Sequence, residues 1–165
     1  MTVGIIVAII AAIVIIALAA AWYRRRGGGA DAELRQLDMR SLTSSERKYY
    51  LEDWMHIQGS FVDSPGVALD SADTLVGKLL QDVGYPTDDE SRLLRLLSVR
   101  HAPSVPAYRE ARAVHAKRNG GETDVDTESL RVALNSYDGL FQDVVAAHTA
   151  SSDVATRQHE AEATS

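Results

Sequence analysis

The sequence predicts an all-α protein, with a single N-terminal transmembrane helix followed by a small antiparallel bundle of four to five helices. Three observations predict it. Val3 to Ala21 carries no charged or strongly polar side chain, and Trp22-Tyr23 and Arg24-Arg25-Arg26 close that run. Beyond position 43, apolar residues recur at three- and four-residue spacing, the period of a helix with one buried face. Helix-start signals precede these stripes, and no stretch shows the alternation of a strand.

The anchor is expected over residues 1–23. At about 1.5 Å of rise per residue, the apolar run covers roughly the 30 Å hydrocarbon core of a bilayer. A cleaved signal would place its basic residues before a shorter apolar run, whereas here the arginines follow a long one. Trp22 and Tyr23 suit the headgroup belt, where an aromatic ring with a polar edge is best placed. Arg24, Arg25 and Arg26 complete this membrane interface. Arginines beside a spanning helix stay on the cytoplasmic side, so the chain is expected in the plasma membrane with its N-terminus outside. The C-terminal domain is then cytoplasmic.

Residues 24–42 read as a basic, glycine-rich linker. Gly27-Gly28-Gly29 supplies a hinge, and Asp31–Arg40, with Leu34 and Leu37, a short helix. The bundle is expected over 43–147. Its first helix opens at the capping box Thr43-Ser44-Ser45-Glu46 and carries Tyr50, Trp54, Ile57 and Phe61 on one face. The second opens at Ser64-Pro65, where the fixed φ of proline suits the first helical position, and stops at Gly84. Ala68, Ala72, Leu75, Leu79 and Val83 are its stripe.

A third, short helix is expected to open at Thr87-Asp88-Asp89-Glu90 and to bury Leu93, Leu94, Leu96 and Leu97. The fourth runs from about Ser104 to Arg118, with a sparse apolar side of Tyr108, Ala111 and Val114. Asn119-Gly120-Gly121 ends it. The fifth covers Thr127 to Ala147, with Leu130, Leu134, Tyr137, Phe141 and Val144 inward. The tail, 148–165, has no periodicity and is expected to be disordered.

Composition narrows the function. The chain has a formal charge of −6, and without Arg24, Arg25 and Arg26 residues 27–165 carry −9. Such a domain is a poor binder of phosphate backbones, which argues against a nucleic-acid partner. There is no cysteine, and so no disulfide, thiolate nucleophile or Cys-type zinc site. No serine-nucleophile, phosphate-loop or dinucleotide signature is present, so no enzyme activity, catalytic residue or cofactor is expected.

The five histidines lack the i, i+4 spacing of a helical metal pair, and no metal is expected. Asp88-Asp89-Glu90 and Glu122, Asp124, Asp126 suit the first turns of helices as caps. Arg92, Arg95, Arg100, Arg109, Arg112, Lys117 and Arg118 concentrate positive charge in helices three and four. They read as partners of the surrounding acids, or as a docking face for an acidic protein.

The arrangement resembles a group of uncharacterised single-pass membrane proteins from actinobacteria, labelled hypothetical or secreted, with a C-terminal helical domain. The matching elements are Trp54 followed by Phe61-Val62-Asp63, Gly84-Tyr85-Pro86, His101 ahead of Pro103, and Tyr108-Arg109. Members of the group carry proline directly after the histidine, and here Ala102 intervenes. The resemblance implies topology and helical fold, and no activity.

The expected function is therefore a membrane-anchored helical interaction or adaptor domain, with the lipid bilayer and a protein as its partners. The alternative is a small-ligand sensor or enzyme using a polar site around His101, Tyr108, Arg109 and His115.

Overall fold

The computed structural model of the chain describes residues 29–121 and 125–162. Two compact units divide it, residues 1–37 and residues 38–165. In the first, residues 29–34 are helical and end in turns, with Gln36 N donating to Glu33 O at 3.0 Å and Leu37 N to Leu34 O at 3.3 Å. Gly29, expected in a hinge, belongs to this helix, and the short helix expected over 31–40 ends at 34. Among the described residues no helix is long and apolar enough to cross a membrane. The anchor expected at 1–23, and Trp22, Tyr23, Arg24, Arg25 and Arg26, lie outside the described residues.

The second unit is all-helical in its described residues. A non-helical segment, 38–43, leads into α1 (Ser44–Ser60), α2 (Pro65–Asp82), α3 (Glu90–Arg100), α4 (Val105–Asn119) and α5 (Thr127–Glu162). α1 opens as its sequence dictates. Thr43 Oγ1 accepts from Glu46 N at 3.2 Å, and Glu46 Oε2 accepts from Thr43 N at 2.9 Å. Arg40 grips the same carboxylate with two hydrogen bonds of 3.0 Å. The Arg40 guanidinium, with Thr43 behind it, holds the Glu46 pKa down at about 2.

Two starts differ in detail. Pro65 occupies the first helical turn of α2, but Ser64 makes no side-chain cap. α3 begins at Glu90, not Thr87, because Asp89 takes the cap and accepts from Arg92 N at 3.1 Å. Aspartate is at least as good an N-cap as threonine, and two acids in succession offered the choice.

α2 is the spine of the bundle. It packs against α1 on one side and α5 on the other, while α4 lies along α5. Ala68, Leu69, Ala72, Val76, Leu79 and Leu80 of α2 are fully buried. Trp54 of α1 stacks on Phe141 of α5, with centroids 4.7 Å apart and planes 15° from parallel. Tyr50 donates to Asp82 Oδ2 at 2.6 Å and so pins α1 to the end of α2.

The α2–α3 corner depends on Gly84. Its φ is +102°, and a Cβ there would lie 2.6 Å from Asp38 O and 3.2 Å from Met39 Cα. Only glycine lets the entering backbone pass so close. Arg40 N then donates to Val83 O at 3.2 Å, and Leu42 N to His148 O at 3.1 Å.

The fifth helix exceeds its expected length. It continues beyond Ala147 to Glu162, and residues 148–162, expected to lack order, are helical. Ala146 to Glu162 contains no glycine or proline, and its alanine, glutamine and glutamate are good helix formers. His148 is 4% exposed, so the packed part of this helix reaches past 147 as well.

Candidate functional site

Polar side chains gather between the helices at two places, the first of them partly exposed. The first joins α2, α4 and α5. Asp70 and Asp73 are one helical turn apart on α2, beside the buried Leu69 and Ala72. Opposite them, α4 presents Arg112, His115 and Arg118 at matching three-residue spacing, so each successive turn meets a carboxylate.

Arg118 pairs with Asp70, and His115 Nε2 lies 3.2 Å from the same carboxylate. His115 Nδ1 is 3.8 Å from Asp73, and Arg112 Nε is 3.5 Å from Asp73 and 3.8 Å from Glu90. From α5, Tyr137 donates to Asp73 Oδ1 at 2.7 Å. Burial, then the Asp73 carboxylate, pushes the Tyr137 pKa up. Tyr108 stands edge-on to Tyr137 at 5.6 Å, and burial raises its pKa too. Both phenols stay protonated; Tyr137 donates to Asp73, while the Tyr108 hydroxyl accepts from Arg112 Nη1 at 3.4 Å. The cluster is a three-helix fastening in which each of the two α2 carboxylates is paired with an arginine of α4.

The second place is deeper. His101, at the end of α3, is completely buried, and Tyr85 and His148 are buried beside it. Tyr85 meets both imidazoles edge-on, with centroids 6.1 Å from His101 and 6.4 Å from His148. His148 Nδ1 lies 2.8 Å from the carbonyl oxygen of Arg40, which fixes Nδ1 as the protonated donor.

Burial lowers the His148 pKa, and the nearby His101 and Arg100 push the same way against the Arg40 carbonyl. Tyr85 is pushed up to about 12, chiefly by burial. His148 Nε2, the Tyr85 hydroxyl and both His101 nitrogens have no hydrogen-bond partner. His101 Nδ1 is 3.1 Å from Asp143 Oδ2, but not at a hydrogen-bonding angle.

Ser104 Oγ donates to that same Asp143 oxygen at 3.1 Å. The carboxylate therefore stands between serine and imidazole. Serine activation needs the imidazole in the middle, so this is not a nucleophilic triad.

Of the four residues expected to share a polar site, Tyr108 and His115 both join the Asp73 cluster, and His101 and Arg109 do not. His101 faces Asp143, Tyr108 is buried against Tyr137, His115 faces Asp70 and Asp73, and Arg109 is exposed on α4. His101 and His115 serve different clusters. Among the described residues no three histidine, aspartate or glutamate side chains could hold a metal ion together.

Asp126 caps α5 by accepting from Ser129 N at 2.6 Å, while Glu122 and Asp124 lie outside the described residues. Of the basic residues in α3 and α4, Arg112 and Arg118 pair with acids, and Arg95, Arg100 and Arg109 are exposed. Sequence reasoning missed Asp70, Asp73, Tyr137, Asp143 and His148. The complementary spacing of acids on α2 and bases on α4 is the signal that could have found the first cluster.

Among the described residues the surface is concave at three places: between α1 and α2, in a pocket of about 360 Å³ lined by Tyr49, Asp53 and Lys78; where Pro65, Arg118 and Leu130 meet, in one of about 430 Å³; and between α4 and α5. A furrow runs between α4 and α5 as two grooves, of about 370 and 230 Å³, which meet at Val132 and Ser136. Pro103, Ala107 and Gly139 line one, and Ala111, Val114 and Ala133 the other. Val132 is 51% exposed where they join. Val114, from the sparse face of the fourth helix, lies in this furrow. Tyr108, on the same sparse side, is buried instead. No protein-family model matches the chain, and no curated protein or solved structure does either.

Proposed function

We propose that the chain is a bilayer-tethered helical adaptor that faces the cytoplasm and receives a protein partner in the α4/α5 furrow. The observation that carries this reading is the half-exposed Val132 set in a furrow where Ala107, Ala111, Val114, Ala133 and Gly139 alternate with serines and end at an acidic rim. An exposed branched side chain in a concave apolar strip gains by being covered, at roughly 25 cal/mol per Å² removed from water. The Asp70 and Asp73 cluster fastens α2, α4 and α5 to one another, which suits a rigid platform.

The membrane part of the reading rests on the sequence. The apolar run Val3 to Ala21 and the three arginines after it support an anchor with its basic end inside. Tethering would concentrate the platform among other membrane-associated components.

Proximity labelling from the C-terminus in intact cells tests both parts. The full chain should recover a reproducible set of cytoplasmic or membrane proteins that Val132→Glu depletes. The same recovery from the segment 1–37 alone would sink the platform reading. A compartment reporter at the C-terminus should register the cytoplasm, and a signal from outside the cell would reverse the orientation.

A further inference from the structure

We infer that the α4/α5 furrow is shaped and charged for a basic, amphipathic helix, an assignment that rests on the adaptor reading above. The walls come first. α4 contributes Ala107, Glu110, Ala111 and Val114, which repeat at three, four and seven residues and so form one face. α5 contributes Ser129, Val132, Ala133, Ser136 and Gly139 on the same principle. Ala107, Ala111, Ala133 and Gly139 carry nothing beyond Cβ. A Cβ added at Gly139 would meet nothing within 4 Å, so the space above it is open. Small residues on both walls let a third helix approach closely, its ridge seated in their groove.

The furrow also has a length. From Ser104 to Val114 it follows ten residues of α4, about 15 Å, or nearly three turns of a docked helix. Such a guest would lay residues at i, i+3, i+4 and i+7 along the strip and cover Val132 with its apolar side.

Charge selects among possible guests. Glu110, Asp126 and Glu128 line the furrow, and neither groove has a lysine or arginine in its lining. Glu128 is already held by Arg131, and Asp126 caps α5, while Glu110 stands exposed on α4. The acidic rim lies toward the start of α5. A guest with lysine or arginine flanking its apolar stripe gains there, and an acidic guest is repelled. A second copy of this chain would bring −9 of its own over residues 27–165, so self-association through the furrow is disfavoured.

The chain has no cysteine, so a single introduced thiol reports from one place. The full chain, in nanodiscs of zwitterionic phosphatidylcholine, is labelled with an environment-sensitive dye at Val132→Cys or, on α2, at Val67→Cys. It is titrated with an amphipathic leucine–lysine peptide of about four turns, and with its leucine–glutamate counterpart. The lysine peptide should give a saturable shift at position 132 and none at 67, at least about tenfold tighter than the glutamate peptide. Glu110→Lys with Glu128→Lys should weaken it about fivefold or more, and added salt should act in the same direction.

Equal binding of both peptides, an equal response at 67, or indifference to the charge reversals would overturn the assignment. If these fail while Val132→Glu still depletes partners in cells, the adaptor reading stands and the basic-helix assignment falls. Self-association that quenches the dye at 132 without any peptide would assign the furrow to a second copy instead.

Discussion

Acid should loosen the bundle through one imidazole, and the size of the effect can be worked from its surroundings. His148 is 4% exposed, donates from Nδ1 to the Arg40 carbonyl at 2.8 Å, and keeps an unpartnered Nε2 in the interior. Protonating Nε2 in place would bury a cation with no acceptor, beside His101 and Arg100. The folded-state pKa therefore lies below the unfolded value of about 6.5.

A depressed histidine makes folding weaker as pH falls, because only the unfolded chain takes up the proton. His148's contribution is fully present above about pH 6.5. Below that it shrinks by up to about 1.4 kcal/mol per pH unit, until the folded pKa is passed. The assay is equilibrium urea unfolding of the full chain in half-unit steps from pH 7.5 to 5, followed by circular dichroism. His148→Asn is the control, since its amide nitrogen can still donate to Arg40 O but does not titrate. The difference between the two proteins isolates this site from the other histidines. Parallel stability curves across the whole range would refute the reasoning, as would a wild type that gains on His148→Asn when acidified.

Gly84→Ala should cost about 2–4 kcal/mol in urea unfolding, because it combines a positive φ with a Cβ at 2.6 Å from the Asp38 carbonyl. An effect under about 0.5 kcal/mol would mean that segment 38–39 moves aside freely. Trp54→Ala removes the ring stacked on Phe141 and should cost about 3–5 kcal/mol, read as a fall in urea midpoint. Tyr137→Phe keeps the ring but takes the 2.7 Å donor from Asp73. A loss of about 1–2 kcal/mol is expected, because Arg112 and His115 still serve that carboxylate.

Most of the helical frame is legible from local chemistry. The Thr43–Glu46 box is made by groups three residues apart, and the structure contains both of its hydrogen bonds. The stripes of α2 and α5 repeat without interruption, and every stripe residue named from their sequences is buried. Choices between neighbours are less legible. Thr87 and Asp89 are both good caps, and the helix uses the second. The extension of α5 was missed because low hydrophobicity resembles disorder, although a segment without glycine or proline can continue a helix that packing has already nucleated.

The polar clusters are hardest to read because their members are far apart in sequence. His148 meets Arg40 across 108 positions, and Tyr137 meets Asp73 across 64. Periodicity reports which face a residue occupies, not which distant residue faces it. It therefore grouped His101 with His115 by proximity on the chain, when helix packing sends each to a different carboxylate.

The way the backbone enters the bundle has a mechanical consequence. A pull on the chain at Asp38, directed away from the bundle, meets no helix first. It loads the Arg40–Val83 bond, the Leu42–His148 bond and the imidazole on the Arg40 carbonyl, so tension is delivered to the α2–α3 corner and to α5. α1 shares that load at its first turn, through the Arg40–Glu46 pair. A force-spectroscopy trace should accordingly show a short early rip, releasing a handful of residues, before the main unfolding event.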